Sequence, residues 1–312
     1  MSASTLHQPV MAQEALDLLN LQPGDTAVDV TAGAGGHLRL LAQAVGPTGK
    51  VLALDRDERA HQPDAAAGVA QQFADRVVLR QASFAHLPAI RDQLQLPKFN
   101  GLLCDLGVSS MQLDTPQRGF SLQHDGPLDM RMDPAQPLTA HQWLSRCQQQ
   151  ELADCLFYYG GERHSRRIAR WICQQRPLPN STKALAQLVS RALKHPPGRI
   201  HPATRTFQAI RIFINNELDQ LQQLLQKLPQ LLAPTGRAVF IAFHSVEERL
   251  IKLAFAQGAR KTPHAQALWQ LLCRKPLRPS EQEVQNNPRA RSARLRAIAM
   301  CQTCTQHAHH AS

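Results

Sequence analysis

Over the first third of the chain, short apolar runs bounded by turn residues alternate with segments whose apolar positions recur at helical spacing. We predict four strands from the apolar runs, at residues 26–30, 50–55, 77–80 and 100–106. A glycine-rich bend follows the first strand and leads into an amphipathic helix at 37–45. Strands that alternate with helices at this spacing indicate βαβ units and therefore a parallel sheet.

The alternation stops after the fourth predicted strand. Residues 113–205 contain no convincing strand, and their apolar positions predict helices, among them 165–175 and 182–193. The βα pattern then resumes with a long helix at 207–231 and a fifth strand at 237–243. The most economical topology is one doubly wound α/β domain interrupted by a helical insert.

These patterns predict the domain organisation. We expect a discontinuous α/β domain made of residues 1–112 and 206–300. Residues 113–205 are expected to form the helical insert, and residues 301–312 a disordered tail.

The composition is typical of a globular cytoplasmic protein. Of 312 residues, 43% are hydrophobic, and no apolar run reaches the roughly 18 residues that a membrane-spanning helix needs. The first residues lack the basic start and apolar core of a signal peptide. The seven cysteines show no disulfide spacing, which favours a reducing compartment. No membrane or stable protein partner is indicated, and a homodimer stays open.

The net charge of +11 is concentrated in two segments. Residues 160–211 contain 11 Lys or Arg and one acid, and residues 274–298 contain seven and two. The rest of the chain holds 17 basic and 21 acidic residues. Charge concentrated in this way favours a polyanionic partner, and two such segments in one α/β chain favour nucleic acid over a solvated surface.

Arginines in these segments are the candidate phosphate ligands. Four of them recur at the spacing of one helix face: Arg163, Arg166, Arg167 and Arg170. The alternative is an ordinary solvated face, but Glu162 is the only acid placed to pair with them. Further candidates lie near the end of the insert and near the C-terminus: Arg205, Arg211, Arg289, Arg291, Arg294 and Arg296.

A strand, a glycine-rich bend and a helix in succession are typical of nucleotide-binding sites. Gly33, Gly35 and Gly36 let the backbone approach a ligand, and the helix that follows offers free N–H groups. Asp55 ends the second strand, where its carboxylate can accept hydrogen bonds from ribose hydroxyls. NAD and S-adenosylmethionine (SAM) both fit this pattern. Leu38 occupies the position of the third glycine that a dinucleotide requires, which favours SAM.

Two further carboxylates lie at the ends of predicted strands. Asp29 lies in the first strand and Asp105 in the fourth. Open α/β sheets bind ligands at the carboxyl ends of their strands, so Asp105 is expected to face the adenine, the methionine moiety or the substrate. The alternative is that these carboxylates only cap strand ends.

Six strings along the chain are distinctive: 31–37 (TAGAGGH), 104–110 (CDLGVSS), 118–121 (RGFS), 125–133 (DGPLDMRMD), 201–209 (HPATRTFQA) and 287–292 (NPRARS). They resemble the RsmH (MraW) family of 16S ribosomal RNA (cytosine-N4)-methyltransferases. The resemblance covers nearly the whole chain. It implies a class I SAM-dependent methyltransferase fold, Rossmann-like with a mostly parallel sheet, carrying an inserted helical domain. The arginines of this insert make it the candidate RNA-recognition domain.

The resemblance also implies a set of site residues and an activity. The implied SAM contacts are Gly35, Gly36, His37, Asp55, Phe84, Asp105 and Gln112. The implied reaction transfers a methyl group from SAM to the exocyclic N4 of a cytidine in the decoding region of 16S rRNA, in the small ribosomal subunit. Asp105 is the candidate catalytic residue, because a carboxylate there can accept a hydrogen from the target amine.

Other functions stay open at this stage. The enzyme alternatives are a SAM methyltransferase that acts on another RNA base or on a small molecule. A different class of protein would be a ribosome-assembly factor that binds SAM and rRNA without turnover. The presence of Gly35, Asp55 and Asp105 together disfavours a loss of catalysis.

Two patterns resemble metal sites but are not expected to bind metal. Asp125, Asp129 and Asp133 have regular spacing, but nearby prolines indicate a loop. The tail combines a C-x-x-C motif at 301–304 with three histidines, and a single such motif at a chain end is weak evidence for zinc.

Overall fold

In the computed structural model, the strands form a single sheet. They are β1 (Thr26–Asp29), β2 (Lys50–Asp55), β3 (Val77–Gln81), β4 (Phe99–Asp105), β5 (Leu232–Ala242), β6 (Trp269–Leu271) and β7 (Arg294–Met300). Their order across the sheet is β3-β2-β1-β4-β5-β7-β6. The first five strands are parallel, and β7 runs antiparallel to both β5 and β6. The structure describes residues 9–193, 201–262 and 266–302.

The chain divides into two units. The first consists of Met1–Gly107 and Gln220–Ser312 and contains the sheet, whereas the second is Val108–Asp219. The predicted boundaries at 112/113 and 205/206 differ from these, because residues 108–112 and 206–219 also belong to the helical unit. Phe207 and Ile210 are buried in the core of that unit.

Helices account for most of the remaining described chain. They are α1 (Ala12–Leu19), α2 (Gly36–Ala44), α3 (Ala66–Gln72), α4 (Leu87–Gln93), α5 (Ser110–Leu113), α6 (Ala140–Arg146), α7 (Gln149–Tyr158), α8 (Ser165–Gln174), α9 (Thr182–Leu193), α10 (Thr204–Asn215), α11 (Glu217–Leu231), α12 (Ser245–Gly258) and α13 (Glu281–Asn286). No helix in the described part of the chain is both long and apolar enough to cross a membrane.

The sheet of the first unit is covered on both faces. All four residues of β1 are buried, as expected for a parallel strand between two layers of helices. One apolar layer includes Leu38 and Leu41 of α2, and the other includes Leu221 and Leu228 of α11. The four strands predicted at the start of the chain are present, within one residue of the predicted bounds.

The predicted helix at 207–231 is wrong as a single element. Asn216 adopts a left-handed conformation, with φ of 50°, and separates α10 from α11. The side chain of Asn215 ties this end of α10 to a loop. It accepts a hydrogen bond from the N–H of Met132 and donates one to the carbonyl of Met130, both at 2.7 Å.

The antiparallel edge of the sheet was not predicted. β5 begins at Leu232, five residues before the predicted start, and pairs there with Phe99 of β4. β7 adds to β5 over six paired residues, and the short β6 closes the edge. β7 contains Arg294 and Arg296 among its apolar residues. Both arginines belong to the basic segment 274–298, for which the sequence predicts contact with RNA.

The second unit packs helices α6 to α10 around its own apolar core. Trp143 and Phe213 stack in this core with ring centroids 4.2 Å apart. The capping box of α6 uses Thr139 and Gln142, and the Asp125 carboxylate accepts a hydrogen bond from the backbone of Lys183 at the start of α9. These two helices therefore begin at residues that satisfy their free N–H groups.

Candidate active site at the carboxyl edge of the sheet

The bend between β1 and α2 requires glycine at Gly35. This residue has φ of 84°, and a Cβ atom there would lie 2.7 Å from the side chain of Val69. A side chain would therefore strain the backbone and push α3 away. Gly36 begins α2, so free N–H groups face the edge of the sheet at which β1 ends.

The Asp55 carboxylate is held in one orientation by backbone donors. Its Oδ2 accepts a hydrogen bond from the N–H of Gly33, and its Oδ1 accepts one from the N–H of Asp57, both at 2.8 Å. Burial raises the pKa of Asp55, and these hydrogen bonds lower it. Each oxygen keeps a further lone pair, so the carboxylate can still accept hydrogens from a pair of hydroxyl groups.

Thr31 connects the carboxylate of Asp29 to the backbone of Asp105 at this edge. Its N–H donates to Oδ1 of Asp29 at 3.0 Å, and its hydroxyl oxygen accepts from the N–H of Asp105 at 2.7 Å. Asp29 is fully buried, and this burial raises its pKa to about 7. Its Oδ2 has no hydrogen-bond partner among the described residues.

The buried side chain of His37 faces the partly buried side chain of Asp105. The Nε2 atom of His37 lies 3.7 Å from Oδ2 of Asp105. Burial lowers the pKa of His37 to about 4, so the imidazole is neutral at physiological pH. Burial, followed by the charges of Asp29 and Glu247, raises the pKa of Asp105 well above its usual range. Within the described chain, Oδ1 of Asp105 and Nε2 of His37 have no hydrogen-bond partner.

Glu247 and His244, beyond the end of β5, were not identified from the sequence. Glu247 is buried at the start of α12, and its Oε2 accepts a hydrogen bond from the N–H of Phe243 at 3.0 Å. The Nε2 atom of His244 lies 3.0 Å from its Oε1. The polar string directly after the fifth apolar run could have identified them, because β5 ends at the same edge of the sheet as β1 and β4.

The two remaining predicted cofactor residues lie in different units. Phe84 follows β3 in a short 3-10 helix and packs, partly buried, against an apolar layer of the first unit. Gln112 belongs to the second unit and is buried, with its side-chain oxygen accepting the N–H of Ser109 at 2.9 Å. The cofactor-binding role of each residue stays a prediction.

The structure separates the predicted basic face into a helical part and a flanking residue. Arg166, Arg167 and Arg170 lie on α8, whereas Arg163 precedes the helix. Glu162, the predicted partner, is buried and accepts a hydrogen bond from the N–H of His164 at 2.8 Å. None of the four arginines forms an ion pair with another described residue. Three further candidates are exposed: Arg205, Arg289 and Arg291. Arg294 is partly buried.

Two arginines predicted to meet phosphate are instead committed to carboxylates. Arg211 binds Glu217 through two hydrogen bonds of 2.8 and 2.9 Å. Arg296 is 7% exposed and binds Glu248 on α12. Glu217 lies beyond the break after α10, and Glu248 lies in another element, so neither pairing follows from helical spacing. We therefore remove Arg211 and Arg296 from the candidate RNA ligands.

The regularly spaced aspartates of the insert serve local structure. The Asp125 carboxylate caps α9, and hydrogen bonds from Ser181 and Lys183 lower its pKa. Asp129 pairs with Arg131. Asp133 accepts a hydrogen bond from the N–H of Ala135 at 2.9 Å. Residues 303–312 of the tail, including the histidines, lie outside the described residues.

The edge fits SAM better than a dinucleotide. Leu38, at the position of a third glycine, is fully buried in the core and leaves no close backbone approach for a pyrophosphate. The anchored Asp55 carboxylate suits ribose hydroxyls, and the carboxylate of Asp105, whose side chain is 24% exposed, can accept a hydrogen bond from a cationic amino group. The sheet order and this site define a class I SAM-dependent methyltransferase.

Comparisons with known proteins identify the family. The model of the MraW methylase family matches residues 4–301, and the chain belongs to this family. A protein of Cyanothece sp. named Ribosomal RNA small subunit methyltransferase H is 48% identical over 93% of this chain and 93% of its own length. One of the same name from Koribacter versatilis is 44% identical over 94% and 93%.

Proposed function

We propose that the protein transfers a methyl group from SAM to the exocyclic N4 of a cytidine in the decoding region of 16S rRNA. The observation that carries the proposal is the near full-length similarity to proteins named Ribosomal RNA small subunit methyltransferase H. The predicted substrate is the small ribosomal subunit in the cytoplasm. The concentration of charge in two segments of the chain supports a nucleic-acid substrate.

When bound, SAM supplies an electrophilic methyl group. The residues at the edge of the sheet hold the reactants, because methyl transfer requires attack in line with the bond that breaks. We propose that Asp55 binds the ribose of SAM. The free N–H groups at the bend of Gly35 and Gly36 also face the cofactor in this proposal. His37, neutral because its pKa is about 4, adds no positive charge beside a cationic cofactor.

Asp105 is the candidate acceptor for hydrogens of the target amine. Cytosine N4 is a weak nucleophile because its lone pair is delocalised into the ring. A hydrogen bond from N4 to a carboxylate raises the electron density on the nitrogen and provides a place for the proton. Burial raises the pKa of Asp105, so an adjacent cation or donor is needed to keep it ionised.

The RNA contacts are assigned to arginines of the two basic segments. A base in folded rRNA must leave its stack, which costs on the order of a few kcal/mol. Phosphate contacts elsewhere must offset this cost. In the second unit, this role is proposed for five residues: Arg163, Arg166, Arg167, Arg170 and Arg205. In the first unit, Arg289, Arg291 and Arg294 flank the start of β7 and are proposed for the same role.

The test uses the small ribosomal subunit as substrate. Subunits from a strain that lacks the gene are incubated with the purified protein and SAM, and the 16S rRNA is digested and analysed by mass spectrometry. We expect one cytidine to gain a methyl group on N4. Methylation of another base, or SAM binding without any transfer, would support one of the alternative functions instead.

A further inference from the structure

Two aromatic side chains at the end of α7 are exposed and take no part in the buried face of the helix. Phe157 is 53% exposed and Tyr158 is 63% exposed. In the described part of the chain, no other aromatic residue is exposed to this degree, and only 5% of all residues are Phe, Trp or Tyr. The buried face of α7 is formed by other residues: Leu152, Ala153, Cys155 and Leu156.

The backbone around the two rings is held in place. Tyr159 faces the core, where its ring lies 6.5 Å from that of Phe213. The N–H of Gly161 donates to the carbonyl of Phe157 at 3.0 Å, which closes the turn after α7. Phe157 and Tyr158 contact each other edge to face, with centroids 5.2 Å apart and an interplanar angle of 82°. The outward-facing rings are therefore preorganised.

Positive charge accompanies the rings. Arg163 follows five residues after Tyr158, before α8 begins, and is exposed. Arg205, also exposed, lies in the first turn of α10. Its backbone passes beside the turn after α7, because a Cβ atom at Gly160 would lie 2.5 Å from the carbonyl oxygen of Arg205. Neither arginine has an ion-pair partner among the described residues. The nearest exposed acid in sequence is Asp154, one turn back on α7, where it accepts a hydrogen bond from Gln150.

We propose that Phe157 and Tyr158 form a stacking platform for unpaired bases of the RNA substrate. Exposed aromatic faces beside arginines are the features by which proteins bind single-stranded RNA, with bases on the rings and phosphates on the cations. A double-stranded RNA keeps its bases stacked inside the helix and offers none to the rings. This inference rests on the proposed function, and it specifies that the bound RNA includes a single-stranded stretch.

The test compares three double variants of the full chain. Phe157→Ala with Tyr158→Ala removes the rings, Phe157→Leu with Tyr158→Leu keeps apolar area without ring faces, and Phe157→Tyr with Tyr158→Phe keeps both rings. Dissociation constants are measured for a single-stranded oligo(C) RNA and for an RNA duplex, over a range of salt concentrations. Leu253→Ala, which removes a 60% exposed apolar side chain of the first unit, is the control.

We expect the Ala and Leu variants to bind the single strand about tenfold or more weakly, since each stacked base contributes on the order of 1.4 kcal/mol, a factor of ten. The dependence on salt should keep its slope, because every phosphate contact is retained. Duplex binding, the Tyr/Phe exchange and the Leu253 control should be unchanged. Circular dichroism checks that each variant is folded.

Wild-type affinity in the Ala variant would overturn the inference. Full binding of the single strand by the Leu variant would also overturn it, because apolar area without ring faces would then be sufficient. A smaller sedimentation coefficient for the Ala variant than for the wild type would do the same, because it would show that the rings hold two copies of the chain together. The experiments distinguish a failure of this inference from a failure of the proposed function. If the wild type binds oligo(C) through the rings but methylates no cytidine N4, only the proposed function fails. If it methylates N4 and the rings do not matter, only this inference fails.

Discussion

At the scale of single residues, the site is a set of carboxylates with different supports. Asp55 receives two backbone N–H groups, whereas Asp29 and Asp105 each keep one buried oxygen without a described partner. A buried carboxylate with few donors holds its proton more tightly than one in water. These differences lead to separate predictions for the three residues.

Replacement of Asp55 by Ala should weaken SAM binding by about 1–3 kcal/mol, because the charge-assisted hydrogen bonds to the ribose no longer form. Isothermal titration calorimetry measures the change. Asp64→Ala is the matched control, since Asp64 is exposed and pairs with Arg59. NAD binding more tightly than SAM to the wild-type protein would contradict the assignment of the cofactor residues.

Replacement of Asp105 by Ala should abolish methyl transfer to small ribosomal subunits while the fold survives. The carboxylate is assigned to the target amine or to the methionine moiety. Turnover would be lost in either case, because each contact is needed for methyl transfer. Circular dichroism and SAM affinity are measured alongside the transfer assay. A folded variant with near-normal activity would remove Asp105 from the mechanism.

The buried carboxyl of Asp29 predicts a pH dependence of stability. Its pKa is raised from 3.8 to about 7 in the folded protein, so the folded state binds the proton more tightly than the unfolded state. Stability from this group is therefore present at low pH and is lost as pH rises through about 7.

We expect Asp29→Asn to remove that dependence in the cofactor-free protein. Between pH 5 and 8, the wild-type free energy of unfolding should fall relative to the variant by on the order of a few kcal/mol. Denaturant titrations at several pH values measure this difference. Asp75→Asn, at an exposed position, should show the wild-type profile. Identical pH profiles for wild type and Asp29→Asn would show that Asp29 is ionised throughout.

At the scale of elements, α8 shows how one helix can serve two surfaces. Ile168, Ala169 and Ile172 are buried in the core of the second unit. Arg166 and Arg170 are exposed on the other side. Because Glu162 hydrogen-bonds to the backbone before the helix, the arginine charges are not offset along α8.

The basic face at α8 should contribute to the salt dependence of RNA binding. Substitution of its arginines by Gln should weaken binding to small subunits and flatten the slope, by about 0.7–0.9 for each phosphate that is no longer neutralised. SAM affinity should be unchanged. The substituted residues are Arg163, Arg166, Arg167 and Arg170.

The control variant removes four exposed charges of the first unit instead: Arg80, Arg249, Lys252 and Arg260. It should bind small subunits with the wild-type salt dependence, because none of these residues is assigned to phosphate. An unchanged slope in the α8 variant would leave Arg289, Arg291 and Arg294 as the main candidates.

At the scale of the whole molecule, the second unit has a continuous sequence and its own core. Its buried side chains include Trp143, Leu156, Ile168 and Ile210. A continuous segment with an independent core is expected to fold alone. We predict that residues 108–219, expressed separately, unfold in one cooperative transition and do not bind SAM. Loss of near-ultraviolet circular dichroism in that fragment would show that its packing depends on the first unit.

The sequence by itself determined the parallel part of the sheet and predicted the edge at which a cofactor would bind. Buried parallel strands are continuous apolar runs, and their order predicts that their carboxyl ends meet at one edge. Gly35 and Asp55 are predicted to contact the cofactor because both lie at or shortly after the ends of such runs, and their role stays a prediction. The stacking platform also lies on a predicted helical insert, although no pattern distinguished Phe157 from a core residue.

Only the tertiary structure decided the features that depend on residues distant in sequence. The antiparallel strand β7 follows from its pairing with β5, and the burial of Arg296 follows from Glu248, 48 residues away. Asn215 ends α10 by bonding a loop 83 residues earlier. Local periodicity gives no information about such partners. A charged or polar residue occupies the same kind of position in the sequence pattern whether its side chain contacts solvent, phosphate or another side chain. The contacts that choose among these environments exist only once the chain has folded.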